Sequence, residues 1–303
     1  MERTVFKDLL QNLDRGESPV INMTADGVEY SRRFERCDRL ILLGGGHVAL
    51  DVYRMALMLD FDITVVDDRA EFCNNTRFPK ATVICDSFDR AIRQLDICDR
   101  DYVCILTRGH RWDQICVEAI FSGAMPYYLG MISSGRRAKG MKQGLLESGY
   151  SPEKIDKLRA PIGIDIGSVT TAEIALAICA EMIREKRKIH HTASDNELMQ
   201  TNVNFDMLRY LAESDEPCAL LTVLSSSGST PVKSGSMMAV NVLGKGYGTV
   251  GGGCGEAEAI AKARRIIGTG ESVVIDLDMT SEVAADNGMV CGGKMRILIE
   301  DIN

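Results

Sequence analysis

Long apolar runs are missing from this sequence. No stretch approaches the ~18 consecutive apolar residues of a membrane span, and the opening MERTVFKDLLQNLDRGE carries charges where a signal peptide needs its apolar stretch. No membrane span is expected, and a cytoplasmic location is. Histidine is scarce: there are four in 303 residues, two of them adjacent, so a histidine-built metal site has little support. Ten cysteines are present, yet no two are separated by only two residues. That spacing argues against a zinc ribbon or a redox pair, and a chain of this length needs no disulfide framework, so reduced thiols are expected. Excess positive charge is absent as well. With 35 Lys and Arg against 43 Asp and Glu, the formal net charge is -8, which excludes a broad phosphate-tracking surface and nucleic acid as a partner while leaving room for a local basic pocket.

What is present is an ordinary globular composition, 45% hydrophobic and 26% charged, at about twice the common domain size of ~100–150 residues. Two domains are expected. Short apolar runs at 39–43, 63–66, 81–85, 102–106 and 127–130 alternate with helical patterns near 47–60, 87–97, 113–122, 135–148 and 170–187. This is the sequence form of an α/β fold, a doubly wound Rossmann-like parallel sheet, with ligands expected outside the carboxyl ends of its strands. Ahead of it, Ala25-Asp26-Gly27 lies between extended pieces and predicts a lead-in hairpin. A polar stretch from Glu185 to Glu216 ends in a short amphipathic helix, and the domain boundary is expected near 195–200. Beyond it CALLTVL, MMAVNVL, SVVIDLDM and MRILIEDI read as strands, with one helix near 256–267, a pattern that suggests a smaller α+β domain. The expected division is 1–195 and 200–303.

Two glycine loops carry the candidate chemistry. Leu40–Leu43 runs into Gly44-Gly45-Gly46-His47-Val48-Ala49, a G-x-G-x-x-A at a strand-to-helix junction. Gly44 permits the tight turn, and Gly46 lets a pyrophosphate approach backbone N–H groups at the helix N-terminus. Asp67, about 20 residues on at the end of the next strand, stands where a ribose-binding carboxylate is expected, which would favour NAD over NADP. A loop retained for packing alone is the competing reading. Thr107–Asp113 and Met131–Arg137 bring hydroxyls, glycines and arginines to the same rim, and His47 and His110 could each donate to a phosphate or move a proton; solvated loops and satisfied polar contacts are the plain alternatives.

In the second half, seven of the twelve residues 244–255 are glycine. A run so rich costs conformational entropy and needs a backbone reason. The helix EAEAIAKARRII follows at once, so the loop can aim N–H groups at an anion. Cys254 and Cys291 both sit among glycines, where backbone amides favour an accessible thiolate. The other eight cysteines read as small hydrophobes.

Taken together, LILLGGGHVA, ITVVDDRAEF, RFP at 77–79, LTRGHRWD, YLGMISSGRR, APIGIDIGSVTTAEIALAICAE, CALLTVLSSSGSTP, GTVGGGCGEAEAIAKA and GMVCGGKMRILIE resemble the XdhC/CoxI family, accessory proteins of xanthine dehydrogenase and related molybdenum hydroxylases. The resemblance implies binding of the molybdenum cofactor, as molybdopterin or its dinucleotide. It implies protection of that cofactor while a cysteine-desulfurase-type sulfur donor installs its sulfido ligand, and help in its insertion into the apo-enzyme of a molybdenum hydroxylase. The protein would then be a non-catalytic maturation factor and a homodimer. Matched onto the family's glycine-rich block, Gly251, Gly252, Gly253, Cys254 and Glu256 would bind the cofactor, and Gly44, Gly46, His47, Asp67 and His110, at the rim of the Rossmann-like sheet, are the other candidates for it. Cys291, in the C-G-G turn, would contact the metal, since a soft thiolate suits molybdenum.

The chain departs from the family pattern in two respects. The family places its small domain first, whereas the order here is reversed, as in a circular permutation. After G-S-T-P the family carries an arginine and, farther on, a lysine, where this chain has Val232 and Met237 and keeps Lys233, Lys245 and Lys294 for positive charge. An NAD-binding oxidoreductase using the first loop is the alternative function. A molybdenum hydroxylase in its own right is excluded by the short chain and the lack of clustered iron–sulfur cysteines.

Overall fold

The computed structural model describes residues 1–35, 38–189, 196–199, 204–279 and 293–302. In chain order its elements are α1 (Thr4–Asp14), β1 (Val20–Ala25), β2 (Val28–Arg33), β3 (Arg39–Leu43), α2 (His47–Met58), β4 (Asp62–Val66), β5 (Thr82–Ile84), α3 (Phe88–Gln94), β6 (Tyr102–Ile105), α4 (His110–Phe121) and β7 (Tyr128–Met131). These are followed by α5 (Gly135–Glu147), α6 (Pro152–Asp156), β8 (Leu158–Arg159), α7 (Thr171–Ile189), α8 (Phe205–Glu213), β9 (Cys218–Gly228), β10 (Met237–Asn241), β11 (Gly246–Gly248), α9 (Gly253–Ile266), β12 (Ser272–Asp278) and β13 (Gly293–Ile302). They fall into two compact units. One is Cys37–Ile189, and the other joins Met1–Arg36 to His190–Asn303.

The first unit is a six-stranded sheet in the order β5-β4-β3-β6-β7-β8, parallel throughout. Its strands are continuous apolar runs because both faces are covered. On one face Leu40 and Leu42 of β3 pack with Ala49, Val52, Tyr53 and Ala56 of α2 and with Ala175, Ile178, Cys179 and Met182 of α7. On the other, Ile41 and Leu43 meet Phe88, Ala91 and Ile92 of α3, Cys116, Val117 and Ile120 of α4, and Met141 and Leu145 of α5. In each helix the buried residues recur at i, i+3, i+4 or i+7, the spacing of one helical face. Because β3 has β4 on one side and β6 on the other, the winding direction reverses there. The carboxyl ends of β3 and β6 therefore form the topological switch point, where open α/β sheets bind ligands.

The second unit holds a five-stranded antiparallel sheet, β11-β10-β9-β13-β12. Strand β9 is buried on both faces. Ala219, Leu221 and Val223 pack toward Ala259, Ala263 and Ile266 of α9, while Leu220 and Leu224 pack with Met207, Leu208 and Leu211 of α8. Helix α8 has only nine residues and cannot cover that face alone. Phe6, Leu9 and Leu13 of α1 and Ile21, Met23 and Ala25 of β1 complete the cover. Residues 1–36, expected with the Rossmann-like domain as part of 1–195, thus pack in the second unit, because a sheet apolar on both faces needs two covering layers. The lead-in hairpin is β1–β2, turning at Asp26 and Gly27 with φ of 50° and 77°, the left-handed pair that a two-residue hairpin turn requires.

Candidate functional site

The first glycine loop leaves β3 at the switch point, and each of its glycines answers a different constraint. Gly44 has φ 121°, and a Cβ there would lie 2.3 Å from the Leu106 carbonyl oxygen; a Cβ on Gly45 would lie 2.1 Å from that of Phe72. At Gly46 the added atom would meet nothing within 4 Å. Gly46 is also the N-cap of α2 and brings no side-chain cap, so no side chain of the cap residue occupies the N–H groups of the first turn. His47 follows as the first residue of α2, exposed, and His110 is the exposed first residue of α4. The sheet thus gathers Gly44, Gly46, His47, Asp67 and His110 at one edge.

Asp67 is not free for a ribose. It is 1% exposed, with Oδ2 accepting from the Gly45 N–H at 2.8 Å and from Arg69 Nη2 at 3.0 Å, while Oδ1 accepts from Arg69 Nε at 2.9 Å and the Arg69 N–H at 3.1 Å. Every acceptor edge is spent on the loop and its supporting arginine. Arg77 completes the clamp from the other side, donating to the Gly45 carbonyl at 3.1 Å and the Gly46 carbonyl at 3.3 Å. Neither arginine was signalled by spacing. The burial of Asp67, however, follows from the strand period: Ile63 and Val65 point to the face that α2 covers, and the next residue in that alternation is Asp67.

The neighbouring loops are tied in the same way. After β6, Thr107 Oγ1 donates to Asp113 Oδ1 at 2.5 Å, and Arg137 of α5 pairs with the other oxygen of that buried carboxylate. Burial pushes the Asp113 carboxyl up, against the opposing pull of the Thr107 hydroxyl and Arg137. Ser134 caps α5 by accepting from the Arg137 N–H at 3.3 Å. Within the APIGIDIG block Ile162 is buried while Asp165, Ile166 and Gly167 are exposed, and Glu181 Oε2 accepts from the Gly163 N–H at 2.9 Å and the Tyr128 hydroxyl at 2.7 Å.

The second glycine loop repeats the principle in the other unit. Glu256 Oε2 accepts from Thr249 Oγ1 at 2.6 Å and from the N–H groups of Val250 and Gly252, each at 3.0 Å. Gly251, with φ 128°, packs against Pro231 and Val232, while Gly252 and Gly253, with φ of 71° and 66°, have nothing within 4 Å of an added Cβ. Gly252 caps α9 without a side chain. Burial acts to raise the Glu256 carboxyl, but the Thr249 hydroxyl and the loop amides outweigh it and hold it below the usual glutamate range. A depressed folded value means that this carboxylate stabilises the loop above the ordinary glutamate pKa and that the contribution is lost as pH falls through the folded value. Glu256→Gln should therefore lower stability at pH 7 by about 1–2 kcal/mol, the side chain being partly exposed. The difference from the parent should shrink in thermal melts taken below about pH 4.5.

Cys254 lies in the first turn of α9, and Cys291 lies outside the described residues. Burial pushes the Cys104 and Cys116 thiols well up, Cys179 to about 12 and Cys73 to about 11, as expected of cysteines that pack as small hydrophobes. Among the described residues no group of three or more His, Cys, Asp or Glu side chains could hold a metal ion, and no helix is long and apolar enough to cross a membrane.

Fold and loops define a two-unit protein, one unit Rossmann-type with its glycine loop at the switch point, the other an antiparallel sheet with a glycine-rich turn opening a helix. The model for the XdhC Rossmann domain matches residues 40–182, and that for the XdhC and CoxI family matches residues 211–278. The chain belongs to the XdhC and CoxI family. Among curated relatives, a protein of Escherichia coli K12 named YqeB is 34% identical over 150 residues, 49% of this chain and 27% of that one. A probable xanthine dehydrogenase subunit of Bacillus subtilis 168 is 27% identical over 161 residues, 53% of this chain and 46% of the relative. The matched region thus spans about a quarter to under half of those relatives' lengths. A crystal structure of a xanthine dehydrogenase from Bacillus halodurans superposes with a TM-score of 0.49 at 25% identity, over 55% of this chain and 50% of that one.

Proposed function

We propose that this chain is an accessory protein of the xanthine dehydrogenase system that binds the molybdenum cofactor, molybdopterin or its dinucleotide, for a molybdenum hydroxylase apo-enzyme. The observation that supports this reading is the pair of carboxylate-clamped glycine loops, Asp67 on Gly45 and Glu256 on Val250 and Gly252. Each carboxylate spends itself on the backbone, so each loop is preformed before any ligand arrives, and each presents uncapped helix N–H groups to a phosphate. The open space at Gly46, Gly252 and Gly253 fits a bulky anion, and main-chain donors can hold a phosphate where the family's arginine after G-S-T-P is replaced by Val232. When bound, the cofactor supplies the redox-active metal for the client hydroxylase. The protein's own part is to receive its phosphates and, through Cys291, to touch the metal or protect its sulfur. A cysteine-desulfurase-type sulfur donor and a homodimeric assembly complete the proposal.

The test is the pterin content of the full-length protein purified from molybdate-fed cells, read as fluorescence after oxidation. Near-stoichiometric pterin is expected in the parent, with a several-fold loss in Cys291→Ala at unchanged thermal stability. Absence of pterin from the parent, or equal retention by Cys291→Ala, would contradict the reading.

A further inference from the structure

Asp68 and Arg108 stand on opposite sides of the first glycine loop. Asp68 follows β4 and Arg108 follows β6, the two strands that flank β3, so a contact between them crosses the carboxyl end of β3, directly over the turn where the loop begins. They make that contact in bidentate form. Both guanidinium nitrogens of Arg108 meet the two Asp68 oxygens, Nη2 to Oδ2 at 2.8 Å. Arg108 Nη1 also lies 3.9 Å from Asp67 Oδ1, which places the guanidinium one carboxylate away from the Gly45 N–H. Its plane rests over Trp112, 4.4 Å from the ring centroid. Strands in a sheet lie about 4.8 Å apart, so the pair spans roughly 10 Å across the position a pyrophosphate takes in a switch-point site.

We propose that Asp68 and Arg108 form a latch over the first glycine loop that opens onto a nucleoside diphosphate, Arg108 passing to the diphosphate and Asp68 to the ribose hydroxyls. The chemistry of the two groups carries the assignment. Asp67 has no free acceptor edge, whereas the strongest partner of Asp68 is a partly exposed arginine, with side-chain exposures of 21% and 32%. An ion pair exposed to this degree contributes little to stability and exchanges readily for ligand. A planar guanidinium matches phosphate oxygens as well as it matches a carboxylate, and a carboxylate just beyond the second strand of the nucleotide-binding half is placed to accept from a ribose diol. The exchange keeps both groups hydrogen-bonded: the guanidinium passes from carboxylate to phosphate oxygens, and the carboxylate, still partly in water, accepts from the diol. This inference rests on the reading of the first loop as the site of the cofactor's nucleotide part.

The latch makes a prediction of opposite sign for two ligands. Removing the Asp68 charge takes away a ribose acceptor and at the same time frees Arg108. Calorimetric titration of the full-length protein should use ADP, CDP and GDP, their 2′-deoxy counterparts and inorganic pyrophosphate, with the three nucleotides separating the possible bases. In the parent, at least one ribonucleotide should bind about tenfold tighter than its deoxy form. In Asp68→Asn that preference should disappear while pyrophosphate binds several-fold more tightly. In Arg108→Ala both ligand types should weaken tenfold or more, with Arg108→Lys intermediate. Binding of none of the nucleotides by the parent, a change of the same sign for nucleotide and pyrophosphate in Asp68→Asn, or an unmoved pyrophosphate affinity in Arg108→Ala would each overturn the proposal. Pterin content measured on the same parent preparation separates the two readings. Nucleotide behaviour as expected without pterin sinks the cofactor role and leaves the latch, and pterin retention without the nucleotide pattern does the reverse.

Discussion

Asp67→Ala should destabilise the Rossmann-type unit by about 2–4 kcal/mol, a large share of the stability of a unit of this size. The substitution leaves the Gly45 N–H without its acceptor in a buried turn and strips Arg69 of its carboxylate. Losing one partner of a buried pair ordinarily costs about 3–5 kcal/mol; the effect is shifted toward lower values because Arg69 is 29% exposed and can recruit water. Asp67→Asn, which keeps an amide oxygen for Gly45 but loses the charge opposite Arg69, should cost roughly half as much. A ribose-binding aspartate would behave differently, since its loss would lower nucleotide affinity and leave the melting temperature in place. Thermal or urea unfolding of the two variants without ligand separates the cases, and an unchanged midpoint in Asp67→Ala would contradict the clamp.

Gly44→Ala should be the most damaging single substitution in the loop, and Gly46→Ala the most informative. At Gly44 an alanine would combine φ 121° with a Cβ 2.3 Å from the Leu106 carbonyl oxygen, and β3 and β6 are hydrogen-bonded neighbours that cannot separate without opening the sheet. A cost of about 4 kcal/mol or more is expected, seen as insoluble or partly unfolded protein. Gly46 has φ -65° and open space, so alanine fits the fold at a cost of a few tenths of a kcal/mol. Its methyl group would instead stand where a phosphate approaches the first turn of α2. Gly46→Ala should therefore melt within about 1–2 °C of the parent and bind pyrophosphate at least tenfold more weakly. Equal binding by parent and variant would remove this turn from the site.

The parallel sheet was largely legible because its strands are buried on both faces. The run at 39–43 coincides with β3, and those near 63–66 and 102–106 differ from β4 and β6 by one residue at an end. Strand β8 escaped because two residues carry no pattern, and β11 because three residues inside a glycine-rich stretch carry none. Helix α1 could have been read, since Phe6, Leu9 and Leu13 fall on one helical face. What no local pattern could show is that this face closes the far unit, a contact bridging nearly the length of the chain. At the site, the glycines were legible as glycines, but their division of labour depends on which backbone oxygen stands opposite each Cβ. Glu256 and Asp67 read as ligands because a carboxylate beside a glycine loop suits either role. Counting the donors already bonded to each decides between them: Arg69 meets Asp67 and Thr249 meets Glu256, pairings that no spacing in the sequence gives.

Backbone amide exchange at Gly45, followed by NMR before and after saturation with the tightest-binding nucleoside diphosphate, tests the clamp most directly. If Asp67 serves the loop, the Gly45 N–H remains bonded to its carboxylate and stays protected with ligand present, while the amides of His47, Val48 and Ala49 shift strongly as they meet the phosphate. Loss of Gly45 protection on binding would mean that Asp67 turns from the loop to the ligand, and the clamp would then be wrong.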